Sequence, residues 1–172
     1  MLLTRRSLAS ALIGVAAVPR LARAADAVLP APKDKVILTI SGKISVFNDD
    51  KTAKFDRDML EALGQASFTT STPWYDAPVT FSGVPMTKLL QTVGASGETV
   101  VAAALNDYET KIPISDFAQF GVLLALKRNG EYMPVREKGP LFIVYPYDSD
   151  AELKSQKYYG RSAWQLARLT VV

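Results

Sequence analysis

The side chains best suited to chemistry lie between Ser67 and Leu90, in the stretch SFTTSTPWYDAPVTFSGVPMTKLL. Thr70, Ser71 and Thr72 supply neighbouring hydroxyls, and Pro73, Trp74 and Tyr75 follow at once. A nucleophilic Thr70 or Ser71 needs a base to take its proton. The chain has no histidine, and no Ser-x-x-Lys arrangement surrounds these hydroxyls, so hydrolytic chemistry is disfavoured. It also has no cysteine, which removes thiolate nucleophiles, thiolate metal ligands and disulfides together. Binding remains. Trp74 and Tyr147 lie just past strand ends, where a backbone bends over a site, Tyr108 follows the Asn106-Asp107 break, and Tyr145 ends the strand before Tyr147. They are expected to converge near Thr70, with Arg136 or Arg161 close by. Rings that join an apolar face to a polar tip suit a flat polar ligand. On that expectation, Trp74→Ala removes ligand-induced stabilisation while changing the unliganded melting point less.

These residues need a scaffold, and the sequence supplies one rich in strands. Ser67–Ser71 reads as a strand, Thr72-Pro73 as a turn and Val79–Phe81 as a second strand. Gly83-Val84-Pro85 then opens a helix whose Met86, Leu89, Leu90 and Val93 recur at helical spacing, with Gly94 as its stop. Upstream, Val36–Ser41 and Ile44–Phe47 read as a strand pair joined at Gly42-Lys43, followed by a polar turn at residues 48–51. Asp56 is placed to cap a short helix, Arg57–Leu63, closed by Gly64. Downstream, Thr99–Leu105 is a buried-strand pattern, broken at Asn106-Asp107 and resumed over Tyr108–Ile114. Ser115 is positioned to cap one helical turn, Asp116–Phe120. Val122–Leu126 and Tyr132–Val135 flank an Asn129-Gly130 hairpin turn. Leu141–Tyr145 reads as another buried strand, residues 149–156 as a polar helix or loop, and Trp164–Val172 as a terminal strand. The expected fold class is α+β, a strand-dominated mixed sheet with short helices.

Composition sets further bounds. At 172 residues and 48% hydrophobic, the chain fits one domain with a substantial core. Residues 1–24 read as an export signal: Arg5-Arg6, the apolar run Leu8–Val18, and the small residues Ala22 and Ala24 before Ala25. Thr4-Arg5-Arg6-Ser7-Leu8 resembles a twin-arginine signal, which carries folded proteins. The expected organisation is signal 1–24, an extended leader 25–35 and one domain 36–172, with a periplasmic destination and no membrane span after processing. Residues 1–24 hold four basic and no acidic side chains. Of the chain's 20 basic residues, 16 therefore remain against 17 acidic ones, a net charge of −1. No basic stripe with interleaved aromatics survives, so nucleic acid is not an expected partner. A small-molecule ligand or a periplasmic protein is.

Several segments, in order, carry a resemblance. Thr70-Ser71-Thr72-Pro73-Trp74 with Phe81-Ser82-Gly83-Val84-Pro85, then Leu105–Tyr108 with Ile112-Pro113-Ile114, are the first two. Val122–Ala125 with Asn129-Gly130 and Met133-Pro134, then Arg136 to Pro140 with Val144-Tyr145-Pro146, are the others. From about Val36 onward the chain resembles the sulfite-oxidase-type molybdopterin-binding domain of small periplasmic oxidoreductases. The resemblance implies that fold, a molybdopterin-type cofactor and oxidoreductase activity. It implies cofactor-binding roles for Thr70, Ser71, Trp74, Asn106, Tyr108, Arg136, Lys138, Tyr145, Tyr147 and Arg161.

That family holds its metal through one cysteine. Counted from Trp74 and Gly83, the corresponding position here is Thr70, or Ser71 if the register slips by one. A hydroxyl is a hard, barely acidic ligand where the family uses a soft thiolate. Family members also often carry a lysine before a Trp-Leu pair, where this chain has Ser162-Ala163-Trp164-Gln165-Leu166. The phosphate of a pterin cofactor needs cationic or N–H partners, which Arg136, Lys138 and Arg161 are available to supply. Two readings remain. One is an exported oxidoreductase-family protein that still binds a molybdopterin-type cofactor, its metal held by the cofactor's dithiolene alone and its redox turnover weakened by the missing cysteine. With no thiolate-ligated metal, that cofactor is expected to be absent or weakly bound. The other is a non-catalytic module on the same fold, recognising a small molecule or a periplasmic protein. Fold alone does not choose between them.

Overall fold

Ten strands in two sheets and four short helices make up the computed structural model, which describes residues 29–172. The proposed signal and the first residues of the leader lie outside the described residues. The strand-rich α+β class expected from the sequence is what the structure shows. The first sheet runs β2 (Ala53–Phe55), β1 (Leu38–Gly42), β10 (Leu166–Val171), β5 (Thr99–Ala104), β6 (Glu109–Pro113). β1 and β10 are parallel and the remaining pairs antiparallel. The second sheet runs β3 (Ala66–Thr72), β4 (Tyr75–Pro85), β7 (Leu123–Arg128), β8 (Glu131–Tyr132), with β9 (Phe142–Val144) also paired to β7. Residues Leu123–Leu126 of β7 are buried on both faces, which accounts for their unbroken apolar run. Among the described residues, no helix is long and apolar enough to cross a membrane.

The capping predictions hold where a side chain can reach a free N–H. Asp56 is the N-cap of α1 (Arg57–Ala62) and accepts the Met59 N–H at 2.9 Å. The same carboxylate takes the Lys33 and Asp34 N–H groups at 2.7 and 3.2 Å, so it also fastens the leader to the domain. The Met59 hydrogen bond leads the causes that lower its pKa, and burial opposes them. Helix α2 (Met86–Thr92) buries Met86, Leu89 and Leu90 on one face, and Val93 continues that face. Asn129 and Gly130 both adopt positive φ, as the hairpin turn between β7 and β8 requires.

Several boundaries differ from expectation, each for a tertiary reason. Ile44–Phe47 is no strand: Ser45 and Val46 both donate to the Val93 carbonyl at 3.0 Å, closing the end of α2. The antiparallel partner of β1 is β2 instead, and the other edge of β1 is taken by β10. Val79–Phe81 is the centre of an eleven-residue strand, because β4 pairs with β3 on one side and β7 on the other. Gly83 belongs to that strand and does not open the helix. A Cβ there would sit 2.0 Å from the Leu124 carbonyl oxygen, so only glycine lets β4 and β7 approach. Ser115 falls inside α3 (Ile114–Phe120), whose N-cap position is Pro113. The return strand after the Asn-Gly turn is only two residues long. Trp164 precedes β10, joined to Phe142 by an isolated bridge.

Candidate functional site

Three chain breaks build one concavity of about 290 Å³. Trp74 comes from the tight turn between β3 and β4, where Thr72 Oγ1 accepts the Trp74 N–H at 3.2 Å. Asn106 and Tyr108 come from the turn between β5 and β6, which Asp107 closes with φ +62°. Gln156, Tyr159 and Gly160 come from α4 (Gln156–Tyr159) and its end, and Ser162 and Trp164 from the approach to β10. The Tyr108 hydroxyl donates to the Gly160 carbonyl at 2.9 Å and ties the first sheet's hairpin to α4.

Trp74 is the centre of the wall. It meets Phe142, Tyr147, Tyr159 and Trp164 edge-to-face, with ring centroids 5.5, 6.0, 5.9 and 5.4 Å away. Such pairs are the favoured aromatic geometry. Tyr147 is fully buried behind this wall. The Ser162 hydroxyl donates to the Tyr158 carbonyl at 3.0 Å, which leaves its oxygen to accept from the Tyr147 hydroxyl. Burial pushes the Tyr147 phenol above its usual pKa, with the Ser162 bond acting against it.

Deeper still, Tyr145 donates to Asp116 Oδ2 at 2.8 Å, and Arg161 Nη1 holds the same oxygen at 2.6 Å. Burial, then the Asp116 bond and charge, raise the Tyr145 pKa. Lys138 lies with its ammonium 4.1 Å from the Trp164 ring centre and 5.6 Å from that of Trp74. Burial first, then the nearby Arg128 charge, lower its pKa. Arg136 extends into solvent, 84% exposed, against Glu137.

The expected convergence is therefore partial. Trp74, Asn106 and Tyr108 share the concavity, Tyr147 backs it, and the buried Tyr145 and half-buried Arg161 both bond Asp116 outside the lining. Arg136 stands apart. Gln156, Tyr159, Gly160, Ser162 and Trp164 were not expected as lining. The signal available was the dense aromatic spacing of Tyr158-Tyr159 and Trp164 around Gly160.

Thr70 does not open onto the concavity. It is 1% exposed, its Oγ1 accepts the Asp148 N–H at 3.0 Å, and it donates to the Ser71 carbonyl at 3.3 Å. Ser71 N–H donates back to Asp148 Oδ2 at 2.5 Å, and Lys154 sits 2.8 Å from Oδ1. The Lys154 bond, then the Ser71 N–H, hold the Asp148 pKa down to about 2. These reciprocal bonds clasp the end of β3 to the residue after Tyr147.

The chain matches the family model for the oxidoreductase molybdopterin binding domain over residues 53–152. This protein belongs to that family. None of the curated proteins matches it. The matched segment ends before α4, so Gln156, Tyr159, Gly160, Ser162 and Trp164 lie beyond it. The family's group does not fit the residues in place. There is no cysteine to ligate molybdenum, and the Thr70 hydroxyl is buried and already paired at both its oxygen and its proton. The concavity has no cation in its lining to meet a phosphate, and the Arg161 guanidinium is held by Asp116. Among the described residues, no group of three or more His, Cys, Asp or Glu side chains is placed to hold a metal ion.

Proposed function

We propose that this protein is an exported member of the family that binds a small molecule in the concavity around Trp74 and carries out no molybdenum redox chemistry. The observation that carries this reading is the Thr70–Asp148 clasp. The position that resemblance assigns to the metal ligand is a buried hydroxyl closing β3 onto the 146–149 segment. Nothing there is a soft, ionisable donor. The concavity supports binding instead: rigid rings on three sides and amide and hydroxyl groups among them, the usual composition of a small-molecule site. Export to the periplasm belongs to the same proposal and is supported by Arg5-Arg6, the apolar run Leu8–Val18 and the Ala22/Ala24 pattern. A sulfite-oxidation assay with an artificial electron acceptor, on protein purified from its own host, tests it. No turnover above a protein-free control is expected, and reproducible turnover lost on heat denaturation overturns the reading.

A further inference from the structure

Given the proposed small-molecule role of the concavity around Trp74, on which this inference rests, its lining specifies more than a generic ligand. None of its eight lining residues is Asp, Glu, Lys or Arg. Lys138 is stacked on Trp164 and Arg161 is held by Asp116, and neither is part of the lining. A phosphate or carboxylate settling against these rings would lose part of its hydration and find no charge in the lining to meet it, which is unfavourable for an ion. A neutral ligand avoids that penalty.

Size and shape narrow the class further. At about 290 Å³ the space is at the lower end of small-molecule sites, enough for one or two rings. Trp164 and Tyr159 both stand edge-on to Trp74, at 72° and 73°, so the three rings form an apolar corner. The polar groups cluster on the α4 and β5–β6 sides. Asn106 Oδ1 accepts the Tyr108 N–H at 3.3 Å, which leaves its NH2 as a donor. Gln156 adds an exposed amide with both donor and acceptor capacity. The cross-link from Tyr108 to Gly160 holds the Asn106 turn against α4, so the polar side is fixed relative to the apolar one.

We infer that this concavity takes an uncharged compound of one or two rings, its apolar face against the Trp74–Tyr159–Trp164 corner and its polar edge against Asn106 and Gln156, and that it rejects phosphorylated forms. A sugar ring and a nucleobase share this chemistry. Both tryptophans of the chain line the site, so intrinsic tryptophan emission reports on it alone.

The experiment is a fluorescence titration of the full processed protein with glucose and adenosine, each beside its phosphate, glucose 6-phosphate and AMP. At least one neutral compound is expected to shift the emission and to bind at least about tenfold more tightly than its phosphate. Which of the two does so identifies the source. Gln156→Ala, at an exposed amide with no other bond, is expected to weaken that binding about three- to tenfold, the effect of one lost hydrogen bond, without moving the melting temperature. Asn106→Ala is expected to weaken it similarly while also lowering the melting temperature slightly, because the Tyr108 N–H loses its acceptor. Tighter binding of either phosphate, or no shift with any of the four compounds, overturns the inference. Tighter binding of a phosphate overturns the neutral-ligand inference alone, whereas silence with all four compounds counts against the small-molecule reading as well. The turnover assay tests the redox half of that reading.

Discussion

Replacing Trp74 by alanine removes the ring on which the candidate site is built, and the structure fixes how much that costs the unliganded protein. The indole is only half-buried, yet it meets four other rings edge-to-face within 6.0 Å, among them the fully buried Phe142 and Tyr147. Each such pair contributes about 0.5–1.5 kcal/mol beyond simple burial. Truncating a buried Trp to Ala costs about 3–5 kcal/mol. Partial exposure places Trp74→Ala at the low end, about 3 kcal/mol. For a domain of this size each kcal/mol lowers the melting temperature by roughly 2–4 °C, so a fall of about 6–12 °C is expected. The sequence-based expectation is that the unliganded melting point changes less than the ligand-induced stabilisation; the ring contacts put that smaller change at several degrees. The check is calorimetric melting of the processed wild-type and variant proteins, with Trp74→Phe as a control that keeps an aromatic ring and loses less. A drop below about 2 °C would show that the indole is a rim residue carrying little of the fold, and the aromatic wall would lose its keystone.

Three further outcomes concern the clasp and the leader. The Asp148 pKa is depressed to about 2, against about 3.9 for a free Asp, so its contribution is complete above pH ~4 and is lost as pH falls towards 2. Wild-type stability should therefore fall more steeply than that of Asp148→Asn across this window in parallel urea titrations, and superimposable slopes would refute the clasp. Thr70→Cys should cost about 1–2 kcal/mol by weakening the acceptor of the Asp148 N–H, and it should retain no more molybdenum than Ser71→Cys; selective retention by Thr70→Cys would show that the site still accepts the family's group. Intact-mass measurement of protein recovered from the periplasm should give a chain beginning at Ala25, whereas a membrane-bound chain that retains Met1 would overturn the export proposal.

Local signals were legible wherever local chemistry decides. The Asp56 cap, the α2 periodicity and the Asn129-Gly130 turn could be read from sequence because each depends on residues a few positions apart. Pairings across long separations could not. The parallel pairing of β1 with β10 joins residues about 130 positions apart and displaces the hairpin that Gly42-Lys43 suggested. Gly83 looked like a helix opening, and its actual role depends on Leu124 in another strand. The site divided along the same line. Trp74, Asn106 and Tyr108 flank turns that could be recognised, so their convergence was foreseeable. Tyr159, Ser162 and Trp164 reach the concavity through long-range contacts, the Tyr108 bond to Gly160 and the Phe142–Trp164 bridge among them, which have no short-range signature. Thr70 showed the missing thiolate directly, but its burial against Asp148 needed the fold.

The central claim is that this family member carries out its role without bound molybdenum, and elemental analysis of the protein purified through its own export route tests it most directly. The account predicts molybdenum far below one atom per chain, with no cofactor absorbance beyond that of the protein. Near-stoichiometric molybdenum that survives gel filtration would contradict it, because some donor other than a cysteine would then have to hold the metal.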